Sequence, residues 1–213
     1  MPTDWYRTTE WHESARAEFE RRLARARPLS RGQYLRIKAV SLAGAGVVDG
    51  ARELCRRVLT LDPEGFEAAS ATELLGDLER AQGNAAVAEQ HYRTLLGRWP
   101  SLNGTSHLAE LSLAELLTEH GEAEHLAEAD ALLTACAERG SLRFNDAIFR
   151  WNVARARLAD KLGDEQARTA AAARALALVG SGPQLPRHPG IGVVQADEAT
   201  LRWLKQLANH AGR

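Results

Sequence analysis

Two histidines at a predicted turn come closest to a metal-binding motif. The stretch His120-Gly-Glu-Ala-Glu-His125 sets them five positions apart, whereas two ligands on one face of a helix are four apart. The stretch also straddles a turn, because the glycine between the histidines breaks the helix. The sequence therefore predicts neither a metal site nor a bound cofactor, and the stretch is interpreted as a polar turn.

The two cysteines give no sign of nucleophilic chemistry. Cys55 and Cys136 have no neighbouring histidine in the sequence, although a Cys/His nucleophile depends on such a base. Both fall on predicted helices far apart in the chain, which favours buried free thiols in a reducing compartment. The glycine-rich segments at Gly46 and Gly190 lack the lysine and the strand–helix context of a phosphate loop. We expect no enzyme activity, unless titratable groups converge from distant segments.

The overall charge argues against a general attraction to nucleic acid or anionic lipid. The 213 residues include 27 Lys and Arg against 28 Asp and Glu, which gives a formal net charge of -1. No apolar run approaches the roughly 20 residues of a membrane span. The segment Met1–Glu13 lacks the basic and apolar regions of a signal peptide. We therefore expect a cytoplasmic protein without nucleic-acid or membrane partners.

The elements that must position any site are helical. Alanine and leucine dominate, β-branched residues are scarce, and Gly and Pro concentrate between apolar runs, a composition that favours an all-α protein. The stretch Glu73–Pro100 shows the unit most clearly, because two apolar stripes at helical spacing flank Gly83-Asn84. Two short amphipathic helices cannot bury their stripes alone, so the unit needs neighbours.

This stretch resembles a tetratricopeptide repeat, a helix–turn–helix unit of about 34 residues. The match consists of six residues in register, Leu75, Gly76, Gly83, Ala88, Tyr92 and Pro100. Thr72 and Glu79 depart from the pattern, which often has Trp and Tyr at these places. An internal repeat accompanies the match, because Gly46, Ala51 and Pro63 each lie 37 residues before their counterparts.

The resemblance implies an all-α fold, a right-handed α-α superhelix of about four helical hairpins with capping helices at both ends. The later repeats are degenerate. The predicted segments are an N-terminal cap (1–30), repeats at 31–64, 67–101, 104–140 and 144–180, a loop (181–193) and a C-terminal cap (194–213). This TPR-like solenoid would account for nearly the whole chain and would leave no room for a separate catalytic domain.

Four further expectations concern individual helices. Pro28 is expected to end the N-terminal cap helix. The alanine-rich helix Glu165–Leu178 is expected to lie between two others, since small side chains allow close approach. A final helix is predicted from about Ala196 to Ala211, and Trp203 on it is expected to pack back on the array rather than bind a ligand.

In stacked hairpins the first helix of each unit lines a concave face, which usually receives a peptide or protein. Helical register predicts three partner-binding residues on each of these helices. They are Gln33, Arg36 and Val40 on the first, Glu73, Asp77 and Arg80 on the second, Leu111, Glu115 and Thr118 on the third, and Arg150, Val153 and Arg157 on the fourth. Such a groove would be basic at both ends and acidic in the middle.

These observations favour a non-enzymatic scaffold that binds a protein or peptide partner. The opening Asp4–Trp11 and the helical runs after it also resemble the N-terminal pattern of small bacterial repeat proteins suspected as immunity partners of polymorphic toxins. That resemblance covers roughly the first 40 residues and implies inhibition of a toxin by masking, through a charge-complementary interface. The alternative is a ligand- or peptide-sensing regulator that uses the groove or the loop Gly180–Gly192. The oligomeric state stays open.

Overall fold

The structure is a computed structural model that describes residues 4–209. Within that range every regular element is a helix, apart from one isolated β-bridge between Leu185 and His188. The ten helices described are α1 (Glu13–Arg25), α2 (Pro28–Gly44), α3 (Val48–Leu61), α4 (Phe66–Ala81), α5 (Ala85–Arg98), α6 (Ala109–His120), α7 (Ala123–Glu138), α8 (Asn145–Leu162), α9 (Glu165–Leu178) and α10 (Glu198–Asn209). The expectation of an all-α chain is confirmed. None of these helices is long and apolar enough to cross a membrane.

Consecutive helices pack against each other as hairpins. α2 packs on α3, α4 on α5, α6 on α7 and α8 on α9, and α10 packs on α9. The predicted pairing of neighbouring helices is therefore confirmed. The chain divides between Ser106 and His107 into two compact units, so that α1–α5 belong to the first and α6–α10 to the second. Each unit has its own hydrophobic cluster.

The hairpin of α4 and α5 gives a physical reason for several repeat-like residues. Gly83 forms the turn with a φ of 79°, a left-handed conformation that glycine adopts at little cost. A Cβ on Gly76 would lie 2.7 Å from the ring of Tyr92. Tyr92 is fully buried, and its hydroxyl donates to Asp77 Oδ1 at 2.7 Å. Glycine at position 76 thus allows α4 and α5 to approach closely.

Glu79, which departs from the repeat pattern, is satisfied by polar partners inside the first unit. Its carboxylate accepts hydrogen bonds from Arg52 Nε at 2.7 Å and from Asn84 Nδ2 at 2.7 Å. These two donors hold the pKa of Glu79 below its usual range. The turn between α4 and α5 is therefore tied to α3 by an ion pair.

The segment before α1 packs back onto the first unit with its aromatic rings. The ring of Trp5 lies 5.3 Å from that of Phe19, and the ring of Trp11 lies 5.7 Å from it, both measured between centroids. Trp11 also reaches α3, where a Cβ on Gly50 would lie 2.5 Å from the indole. Trp5, Tyr6 and Trp11 thus pack against the apolar cluster of the first unit.

Lys38 on α2 anchors this segment. The residue is 1% exposed, and its ammonium donates to Thr8 O at 2.6 Å, Thr8 Oγ1 at 2.7 Å and Glu10 O at 3.1 Å. The same ammonium lies 5.4 Å from the ring centroid of Trp11. Burial lowers the pKa of Lys38, and the nearby charge of Glu10 opposes that shift. The hydrogen bonds compensate for placing a charged group away from water.

The junction of α1 and α2 differs from the prediction. α1 ends at Arg25, and Pro28 is the first residue of α2 rather than the end of α1. Proline is favoured at the first helical position because it has no N–H that would be left unpaired. Arg31 then ties the two helices together, since its guanidinium donates to Ala24 O at 2.9 Å and to Ala26 O at 3.3 Å.

Two helices of the second unit are unusually buried. α6 is buried on every side from Ala109 to Thr118. α9 packs between α8 and α10, and Ala171, Ala172 and Ala175 on it have little or no exposed surface. The predicted position of this alanine-rich helix is confirmed. The bounds of α10 fall inside the predicted final helix, whose last two residues, His210 and Ala211, lie outside the described residues.

Candidate functional site

The predicted partner-binding residues of the first unit are largely engaged in holding that unit together. Arg36 forms an ion pair with Glu67 and so joins α2 to α4. Glu73 is 8% exposed, and its carboxylate accepts from Ser106 N at 2.8 Å and from Ser106 Oγ at 2.6 Å. Asp77 accepts the hydroxyl of Tyr92. The other three predicted residues are Gln33 and Val40, which are exposed, and Arg80, which is half-buried.

Of the predicted residues of the second unit, one is buried and five border the same cleft. Leu111 has no exposed surface and therefore cannot contact a partner, because α6 is covered on that side as well. Thr118 and Val153 are nearly buried, yet both border an open cleft, together with Glu115, Arg150 and Arg157. The structure thus brings five of the predicted residues to one place.

This cleft lies between α6, α8 and α10 within the second unit, and we call it the C-terminal cleft. It has two chambers of about 380 Å³ and about 570 Å³. Glu115, Arg157 and Thr200 border both chambers. The first chamber is completed mainly by Thr118, Ala154, Lys161, Ala199 and Trp203, and the second by Asp146, Arg150, Val153, Val193 and Asp197.

An ion pair between α6 and α8 forms part of the wall. Arg150 Nε donates to Glu115 Oε1 at 2.9 Å, and Arg150 Nη2 donates to Glu115 Oε2 at 2.6 Å. The same Nη2 lies 2.8 Å from Ser112 Oγ. Such two-point pairing is strong and fixes geometry. These two charges neutralise each other and position α8 against α6.

The first chamber has an apolar base because small residues leave room beside a large ring. Ala154 on α8 and Ala199 on α10 line it together with the indole of Trp203, which also packs against the hydrophobic cluster of the second unit. The ammonium of Lys161 would lie 3.6 Å from a Cβ on Gly121, and it therefore stands beside the C-terminus of α6. A cation at that place is favoured by the helix dipole.

The wall of the second chamber includes the loop before α10, which is held at both ends. Gln184 N donates to Ile191 O at 3.0 Å, and Gln184 Oε1 accepts from Asn145 N at 2.5 Å. Asp197 accepts from Thr200 N at 2.7 Å and from Thr200 Oγ1 at 2.8 Å, and these bonds lower the pKa of Asp197. The chamber is therefore bounded by backbone that is already fixed.

The histidine pair and the two cysteines are the titratable groups that the sequence singled out. No three His, Cys, Asp or Glu side chains in residues 4–209 are grouped so that they could hold a metal ion. The rings of His120 and His125 lie 5.2 Å apart across their turn. Cys55 and Cys136 are buried and free, and burial raises the pKa of their thiols to about 12 and about 11. Both thiols stay protonated at neutral pH and are poor nucleophiles.

Sequence reasoning missed the part of α10 in this site. Ala199 and Trp203 are four positions apart and so share a face of the helix, but the apolar residues of α10 were interpreted as packing alone. Ala154 on α8 is 2% exposed and also borders the first chamber. The spacing of Ala199 and Trp203 could have indicated that both line one site. The contribution of Ala154 could be recognised only from the fold.

No model of a known protein family matches the sequence, and no characterised protein matches it. The resemblance to tetratricopeptide repeats therefore depends on the six matching residues of the stretch Glu73–Pro100.

Proposed function

We propose that this protein is a non-enzymatic interaction module and that its C-terminal cleft receives a segment of a protein partner. The cleft itself is the observation that carries this proposal. Its chambers of about 380 Å³ and about 570 Å³ lie within the range of about 300–1,000 Å³ typical of ligand sites. It is bordered by three helices and a fixed loop, so it needs little rearrangement to bind.

The form of the cleft favours an extended segment. The two chambers meet at Glu115, Arg157 and Thr200, so a ligand that fills both must be elongated. A peptide can place an apolar side chain beside Trp203 and polar groups in the second chamber. The buried, protonated thiols supply no nucleophile for a reaction on that segment.

A ligand-sensing regulator is the second candidate, and the first chamber supports it. This chamber alone is large enough for a small molecule, and an apolar base beside Trp203 would suit one. A small ligand would leave the second chamber unused, which is why we favour the peptide.

We further propose that the hairpins are degenerate tetratricopeptide repeats and that the partner is a toxin, which the protein masks in the cytoplasm. The close approach of α4 and α5 at Gly76 and Tyr92 supports the first point, and two free buried thiols suit a reducing compartment. The rings of Trp5 and Trp11, which carry the second resemblance, are engaged in packing. They support kinship with that group and not a binding role. A toxin gene beside the gene for this protein is expected, and its absence would count against the toxin.

The test is selection of random linear peptides, displayed on phage, on the immobilised full chain. Peptides that bind the protein should lose binding when Ala199→Trp fills the first chamber, since Ala199 is exposed and borders it. The matched control is Ala127→Trp, at an exposed position of α7 outside the cleft, and it should leave binding unchanged. Failure to enrich any peptide, or equal binding to the Ala199→Trp variant, would contradict the proposal.

A further inference from the structure

Arginines stacked on aromatic rings recur along this chain, and four of them carry a carboxylate partner. The sets are Arg7 on Tyr6 with Asp4, Arg16 on Trp11 with Glu53, Arg98 on Trp99 with Glu64, and Arg155 on Trp151 with Asp130. In each set the ring holds the guanidinium by a cation–π contact, while the carboxylate neutralises its charge. The complete arrangement of arginine, aromatic ring and carboxylate therefore occurs four times among the described residues.

Arg157 on Trp203 has the ring but not the carboxylate. Its guanidinium carbon lies 5.9 Å from the ring centroid, at about the distance found for Arg155 on Trp151, 5.7 Å. No carboxylate within residues 4–209 pairs with Arg157, whereas Arg155 on the same helix pairs with Asp130 at 2.5 Å. Arg157 is also exposed. The fifth set is thus incomplete within the described chain.

Three of the five carboxylates that border the cleft are engaged with other groups. Glu115 is paired with Arg150 at 2.6 Å, and Asp160 is paired with Arg168 at 2.8 Å. Asp197 is engaged in capping α10. An incoming carboxylate at Arg157 would therefore meet a cation that has no ion-pair partner in residues 4–209, in a cleft that Glu119 and Asp146 also border. Lys161 adds a second positive charge to the first chamber.

We propose that the C-terminal cleft binds an acidic segment of a protein partner and that an Asp or Glu side chain of that segment completes the set at Arg157 and Trp203. This inference rests on the proposed function of the cleft and names the chemistry of its occupant. A stacked guanidinium keeps a planar array of N–H donors for two-point pairing with a carboxylate.

The position of Arg157 selects an internal acidic residue over a free carboxyl terminus. Arg157 borders both chambers, so a chain that ended there would leave one of them empty. A segment with its acidic residue at Arg157 can continue in both directions. The residue on one side then lies against Trp203 and Ala199, and the residue on the other lies in the second chamber.

The experiment sequences the peptides selected on the wild-type chain, displayed with both peptide ends embedded in the coat protein. Asp or Glu should be enriched at one fixed position, with an apolar residue close to it. Arg157→Glu should raise the Kd of these peptides by about 30-fold or more, as expected for a buried two-point contact. Selection on the Arg157→Glu chain should place Lys or Arg at the same position. Arg202→Glu makes the same charge change at an exposed position of α10 outside the cleft and should leave Kd unchanged.

The outcomes separate this inference from the proposed function. Peptides that Ala199→Trp blocks, but that lack an acidic residue or bind Arg157→Glu equally well, overturn the inference and leave the interaction module intact. Peptides that bind only with a free carboxyl terminus also overturn it. If Ala199→Trp blocks no peptide, both the inference of an acidic segment and the proposed function of the cleft are wrong. Circular dichroism of each variant checks its folding, and Arg157→Gln replaces Arg157→Glu if the reversed charge prevents folding.

Discussion

The two ends of the described chain both add a segment beside a helical hairpin, but one segment fills its space and the other leaves a cleft. Before α1, the rings of Trp5 and Trp11 pack on Phe19 and against the apolar cluster of the first unit. In α10, the small side chain of Ala199 faces a chamber of about 380 Å³. The size of a few side chains decides whether a terminal segment closes a unit or shapes a binding site.

The same contrast holds for the cations at the two ends. Lys38 is buried and donates to three oxygen atoms of the chain. Arg157 is exposed, and its described contact is a stack on Trp203. Lys38 stabilises the first unit, whereas the carboxylate partner that we propose for Arg157 would come from another molecule.

The largest expected effect is a loss of stability at high pH, caused by one buried thiol in each unit. It tests whether the two units have equivalent interiors despite their different ends. Unfolded thiols ionise near pH 8.5, while the buried thiols, with pKa values of about 12 for Cys55 and about 11 for Cys136, keep their protons. The folded state then binds more protons than the unfolded state, so stability falls as the pH rises. Between pH 8 and pH 10 each thiol should cost about 2 kcal/mol of unfolding free energy.

Urea denaturation of the wild type, Cys55→Ala and Cys136→Ala at both pH values measures this loss. Each substitution should remove about 2 kcal/mol of the pH dependence, whatever it costs at a fixed pH. If one substitution left the pH dependence unchanged, the interiors of the two units would not be equivalent.

A smaller effect is expected from Lys38→Met, which tests how the first unit is closed. Methionine keeps much of the side-chain volume but removes the hydrogen bonds to Thr8 and Glu10. We expect a loss of about 1.5 kcal/mol in unfolding free energy and faster hydrogen exchange at the amides of residues 4–12. Lys205→Met, at an exposed position of α10, is the control. Unchanged exchange in Lys38→Met would mean that the aromatic rings alone hold the segment.

The smallest effect is expected from Arg157→Ala, because its side chain has no ion-pair partner to lose among the described residues. Its unfolding free energy should stay within about 0.5 kcal/mol of the wild type. Arg150→Ala on the same helix should cost about 2 kcal/mol, since Glu115, 7% exposed, would lose the two-point ion pair with Arg150. Urea denaturation of both variants gives the comparison. A large loss in Arg157→Ala would assign Arg157 to stability and remove the contrast between the two ends.

Much of the fold was predictable because it depends on local patterns. The predicted helix Glu165–Leu178 has the same bounds in the structure, since a glycine turn and an unbroken run of helix-forming residues define it. Gly83 was predicted as a turn for the same kind of reason. Pro28 was misinterpreted because proline both follows and begins helices, and neighbouring residues do not distinguish the two.

The site was less predictable because it depends on contacts distant in sequence. Helical register gave Glu115, Arg150 and Arg157 correctly as neighbours in space, but it could not tell that the first two neutralise each other. Register also placed Leu111 on an open face, whereas α6 is buried on every side. The availability of Arg157 depends on which carboxylates the other arginines take, and only the fold determines that.

The contact between Trp11 and Gly50 constrains the order in which the chain can fold during synthesis. Residues 5–11 leave the ribosome before residue 50. The indole of Trp11 can complete its packing only when Gly50 of α3, which has no side chain, lies beside it. Until then the indole of Trp11 lacks part of its contact surface, and an exposed aromatic ring can promote aggregation. Slow translation between α1 and α3 would prolong that exposure.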